Sequence, residues 1–159
     1  MLQLLRRRLQ GEREGGFTLI ELMVVVLIIA ILIAIAIAIP TFLGARTRAQ
    51  NRAAQASLRN ALVAAKSIYT DTQTYATAEG AGLTAVEPAL TYKAKATAST
   101  GQNDVSADGT TNAGQWAGAA LSASGTCFWI KDNIASGTTY GTGATCTGTA
   151  ALGAAGTSW

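Results

Sequence analysis

Residues 22–39 are apolar without interruption, 18 in a row, and the residue before them is a carboxylate, Glu21. At 1.5 Å per residue such a run makes roughly 27 Å of helix, close to the thickness of a bilayer's hydrocarbon core. Thirteen of the 18 are Leu, Ile or Val. At about 0.3 to 0.6 kcal/mol each they favour insertion by roughly 4 to 8 kcal/mol. An acid at the edge of the run costs at most about 3 kcal/mol. Insertion wins, and the acid is left in want of a partner that offsets it.

Three readings of this segment compete. An ordinary secretory signal would use Arg6, Arg7 and Arg8 as its basic start and Ala36-Ile37-Ala38 as its cleavage site; the apolar run is long for that role. A helix cap would use Thr18-Leu19-Ile20-Glu21 as a capping box, the acid returning to the Thr18 amide. A cut between Gly16 and Phe17 would create an α-amino cation four residues before Glu21, able to pair with the acid of its own or a neighbouring chain. In lipid such a pair neutralises two charges that are each costly alone, and it would set the axial register of adjacent helices.

The stretch Gly16-Phe17-Thr18-Leu19-Ile20-Glu21-Leu22, behind a short basic leader and ahead of an apolar helix, resembles the class III signal of type IV prepilins and the related pseudopilins. The resemblance implies that Gly16 precedes the cut, that Phe17 becomes the N-methylated first residue, and that Glu21 is the acid used in subunit alignment. It implies several partners: a prepilin peptidase, which supplies the catalytic residues; pilus assembly machinery in the cytoplasmic membrane; membrane lipid before assembly; and copies of the chain itself in a homopolymeric filament. It also implies a single-pass chain in the cytoplasmic membrane, leader inside and head outside, and later an extracellular pilus. The strict match covers about residues 15–40. Pro40 falls later than the proline usual in this family, and Ala30 stands where glycine is common.

Proline inside a helix removes one backbone hydrogen bond and clashes with the preceding turn, so a kink is expected at Pro40, helped by Gly44. Beyond it Leu58, Ala61, Leu62, Ala65, Ile68 and Tyr69 share one helical stripe, with Arg52, Gln55, Arg59 and Lys66 on the other side. The expected divisions are a leader at 1–16, a transmembrane and assembly half-helix at 17–44, an amphipathic half at 45–75, and a small head at 76–159. Arg46, Arg48, Arg52 and Arg59 read as a solvated face: no aromatic residues interleave with them to stack nucleotides. Arginines flank both ends of the apolar run, so their count does not orient it.

After about residue 75 the chain turns to Ala, Gly, Thr and Ser with short alternating segments. Residues 90–98 alternate as a half-buried strand, "QWAGAALSAS" and "TCFWIKD" read as two more joined near Gly125, and 102–108 as a short fourth. The Gly-rich tail, with Gly141, Gly143 and Gly148, reads as loops or weak strand. A helix followed by hairpins argues for α+β, a long N-terminal helix packed against a small antiparallel sheet, the type IV pilin-like arrangement that the resemblance also implies.

Cys127 and Cys146 are the only cysteines. Placed outside the membrane they are expected to bond, which would contribute roughly 3 kcal/mol, with free buried thiols as the alternative. Bonded, they would bound a C-terminal loop like that of many type IV pilins, whose contents face solvent; such a loop leans away from the secretion pseudopilins.

An enzyme is hard to build here. There is no histidine, which removes Ser-His and Cys-His chemistry and the commonest metal ligand. Asp104, Asp108 and Asp132 lack the spacing of a calcium loop and read as turn residues. No catalytic residue, cofactor, metal, specific nucleic acid or small-molecule ligand is therefore expected. The expected function is a structural subunit of a type IV pilus filament. The alternatives are a pseudopilin of a type II secretion system and a membrane-anchored surface protein that does not polymerise.

Overall fold

A computed structural model describes residues 16–159; the expected leader up to residue 15 lies outside them. The chain divides into two compact units, one ending at Leu43 and the other spanning Gly44–Trp159. Helix α1 (Leu19–Thr72) enters both. It is followed by α2 (Gly80–Val86), β1 (Thr91–Lys93), β2 (Asp104–Asp108), β3 (Gln115–Leu121), β4 (Cys127–Asn133), β5 (Gly137–Gly143) and α3 (Gly148–Ala151).

In the first unit α1 has no core to rest on, and every described residue is exposed. The helix continues through Pro40 and Gly44. Pro40 withholds one amide from the preceding turn, and the Thr41 hydroxyl donates nearby to the Ala38 carbonyl at 2.8 Å.

In the second unit the same helix becomes one-sided. Ala54, Ser57, Leu58, Ala61, Leu62, Ala64, Ala65 and Ile68 are buried, and their apolar members pack with Val105, Ala107, Trp116, Ala120, Phe128 and Ile130 of the sheet. The expected stripe is therefore the observed one, with Tyr69 half-buried at its edge. The helix stops where Gln73 adopts a left-handed φ of 58° and its amide donates to the Tyr69 carbonyl at 2.7 Å, closing the last turn.

The sheet runs β1-β2-β3-β4-β5. The pairs from β2 to β5 are antiparallel hairpins, but β1 pairs parallel to β2. The expected antiparallel sheet is thus present, with one parallel pair at its edge. The long strand expected over residues 90–98 shrinks to three paired residues, because the Ala94 carbonyl turns away to accept from the Thr97 amide and the Ser106 hydroxyl. The β3 to β4 turn uses Gly125 at φ +89°, a conformation side chains resist. The weak Gly/Thr tail forms a full strand, β5, paired along all of β4.

Both faces of the sheet are covered. Side chains alternate along a strand, so Trp116 and Ala120 of β3 face α1 while Ala117 and Ala119 face a second cluster with Cys127, Cys146 and Ala151. The segment around α3 lies directly on the sheet backbone: the Gly148 amide donates to the Ser106 hydroxyl at 2.8 Å, and a Cβ on Gly148 would fall 2.7 Å from the Ala107 carbonyl carbon. That close approach explains why β2 and β3 carry alanine and serine there. A Cβ on Gly143 would likewise overlap the Trp129 ring, at 1.9 Å.

Candidate functional site

Two sets of residues carry the chemistry, one in each unit. In the first, Gly16 and Phe17 precede the helix and are exposed, Phe17 to 80%. Thr18 caps it: its hydroxyl accepts from the Glu21 amide at 3.2 Å, and its carbonyl accepts from the Leu22 amide at 3.1 Å. This is the N-cap half of the box read from sequence. Glu21 therefore sits in the first turn, where the helix dipole favours an acid. The Gly16–Phe17 peptide bond lies before the helix on exposed chain, open to a protease. A Cβ on Gly16 would meet nothing within 4 Å, so packing does not demand this glycine.

Beyond Glu21 comes the apolar surface. α1 is the one described helix long and apolar enough to cross a membrane, with a mean hydropathy of 3.6 over its best 18-residue window and none of that window buried. A helix apolar on all faces needs apolar surroundings on all sides.

In the second unit the three aspartates read as turn residues have another role: each is paired with a lysine. Lys66 Nζ lies 3.0 Å from Asp132, Lys93 Nζ 2.8 Å from Asp104, and Lys95 Nζ 3.9 Å from Asp108. Asp132 is the most connected. The register sets it opposite Thr138, whose hydroxyl donates to it at 2.6 Å, and the Tyr75 hydroxyl donates to its other oxygen at 2.6 Å. Burial alone would raise this carboxyl, but the hydrogen bonds from Thr138, Tyr75 and Lys66 outweigh it and hold the pKa below the usual carboxylate range. Burial works against ionised Asp104 in the same way, and Lys93 and Thr100 prevail. Burial, then the bond to Asp132, pushes the Tyr75 phenol well above its ordinary value. Burial with the Glu87 charge pushes Tyr92 up to about 12. Among the described residues no group of three or more acids or cysteines is placed to hold a metal.

Cys127 and Cys146 are joined, their Cα atoms 5.5 Å apart. The segment they bound departs from the expected solvent-facing loop. It is the β4–β5 hairpin, with Phe128, Ile130 and Asp132 buried. The bond ties β4 to the segment covering the second face of the sheet, so it staples a layer. The lysine–aspartate pairs were missed from sequence because their members lie on different elements; alternating Lys93 and Lys95 on a strand was the available signal.

The family model for the prokaryotic N-terminal methylation motif matches residues 13–37. That match supports a type IV pilin-like prepilin with a class III signal peptide. The matched span takes in Gly16, Phe17, Glu21 and most of the apolar run, and the motif implies processing by a prepilin peptidase. Neither the comparison with curated proteins nor that with solved structures found a match. The pilin-like α+β fold is seen in the second unit itself, where α1 packs on a mostly antiparallel sheet.

Proposed function

We propose that this chain is the structural subunit of a type IV pilus filament, cut between Gly16 and Phe17, N-methylated at Phe17, held in the cytoplasmic membrane by the first part of α1, and then polymerised through it. One observation carries the reading: the first part of α1 is apolar and exposed, and its first turn holds a single carboxylate, Glu21, close to an accessible Gly16–Phe17 bond. Lipid covers the helix before assembly, and neighbouring helices cover it afterwards. The Phe17 amine of one subunit neutralises Glu21 of the next and sets register. Pro40 and Gly44 mark the stretch where the helix yields as subunits pack.

The test is the native chain taken from its own cells, by intact mass and N-terminal sequencing. An N-methyl-Phe17 start, lighter by two hydrogens than the reduced form, is expected; an uncut chain would overturn the processing step. Glu21→Ala should leave cleavage intact and impair filament formation, and normal filaments from it would remove the register role. Filaments seen on the cell surface by electron microscopy separate a pilus from a short periplasmic pseudopilus.

A further inference from the structure

The charges of the second unit are segregated once internal pairing is subtracted. Asp104, Asp108 and Asp132 are each taken by a lysine, and Glu79 accepts from the amides of Gly109 and Thr110. Arg59 lies over the Trp159 ring at 4.8 Å, and Lys131 donates to the Leu152 carbonyl. What remains without an ion partner among the residues of this unit is basic where α1 enters it and acidic towards the helix's C-terminal end. Arg46, Arg48 and Arg52 are exposed near the start of this unit; Asp71 is exposed in the last turn, and Glu87 stands just beyond α2.

The acidic end adjoins an apolar groove. Asn60, Val63, Ala64 and Ser67 of α1 line it with Val86 and Glu87, and it measures about 250 Å³. Val63 and Val86 are two of the three large apolar residues left exposed in this unit, at 67% and 46%. Asp71, one turn beyond Ser67, continues the same helical face. An apolar floor with carboxylates at its rim suits arginine, which buries its stem along apolar surface and carries a charge that never titrates away.

We infer that this groove is the contact surface for a second copy of the chain, receiving the segment that carries Arg46, Arg48 and Arg52, with Glu87 and Asp71 as their counter-charges. The inference rests on the filament reading, in which copies lie parallel. Arg48 precedes Val63 by 15 helical positions, about 22 Å along the axis, so a parallel copy displaced by about that distance brings its arginines to the groove. The contact is head-to-tail: each copy offers a groove to one neighbour and arginines to another, so it extends a filament without closing.

The experiment measures filament yield from cells expressing the full chain, with the amount of processed, disulfide-bonded subunit in the membrane as the control for folding. Glu87→Lys should lower the yield about tenfold or more by placing like charges together, and combination with Arg46→Glu, Arg48→Glu or Arg52→Glu should restore it in at least one pairing. Glu87→Gln, which keeps an acceptor for the Ala89 amide that Glu87 now binds, should show a smaller loss in the same direction. Wild-type yield from both Glu87 variants overturns the contact while leaving the filament reading standing. A loss that no arginine reversal restores also overturns it, and weakened binding of the arginine variants to anionic phospholipid vesicles would then assign those arginines to lipid headgroups. No filaments from the wild-type chain overturns the filament reading and this contact with it.

Discussion

Leu27 and Leu58 lie on one helix, yet the first is 60% exposed and the second fully buried. The difference lies in what surrounds each residue type along the chain. Residues 22–39 are apolar on every face, so no single surface of the same chain can cover them. The stretch from Gly44 to Thr72 is apolar on one stripe and polar elsewhere, which one sheet satisfies. The head thus completes its burial by itself, whereas the first part of α1 stays incomplete until other molecules surround it. The proposed filament role needs both properties, a unit that is stable alone and a surface that is not.

The contrast can be broken by substitutions of matched chemistry. The largest effect is expected from Leu58→Ala, which should destabilise the head by about 4 kcal/mol through lost burial and a cavity; a denaturant midpoint shift of under a quarter of that would show the stripe is not the core. Removing the staple with Cys127→Ser and Cys146→Ser should cost about 3 kcal/mol on the loop-entropy account, read by the same titration with and without reductant. Asp132→Asn should cost about 2 kcal/mol, because buried Tyr75 loses a charged acceptor and Lys66 its counter-ion.

Acid should act on the head through the same carboxylates. The folded pKa values of Asp132 and Asp104 lie below their unfolded values. The unfolded chain therefore binds protons first, and their stabilisation is full above the ordinary carboxylate pKa and lost as pH falls below about 4. Tyr92 shifts the other way, and its contribution is full below about 10 and lost as pH rises towards about 12. Thermal melts across pH would sink this if stability rose between pH 4 and pH 2. The smallest effect sharpens the comparison most: Leu27→Ala should leave head stability within about 0.5 kcal/mol, since Leu27 is exposed and lies outside the described core.

Features carried by neighbouring residues were legible in the sequence. Gly16, Phe17 and Glu21 form one short string, and Leu58, Ala61, Leu62, Ala65 and Ile68 repeat at the helical period. The Gly125 turn stood between two alternating runs. Features that depend on distant partners were not legible. β5 has Tyr140 as its only large apolar residue and is a strand because β4 supplies a complete ladder. The parallel β1–β2 pair arises from a crossing loop rather than a hairpin. The fate of Asp132 was set by Lys66, Tyr75 and Thr138, which reach it from α1, from the loop after it and from β5.

That convergence on Asp132 has a consequence for how the head opens. A carboxylate held at once from the helix, the following loop and the last strand leaves no one of these free to peel away while the others stay docked. Amide protons on β4 and β5 near Asp132 and on the buried turns of α1 around Leu62 and Lys66 should therefore exchange with solvent at a single common rate, that of opening the whole head, rather than in a graded series from edge to centre.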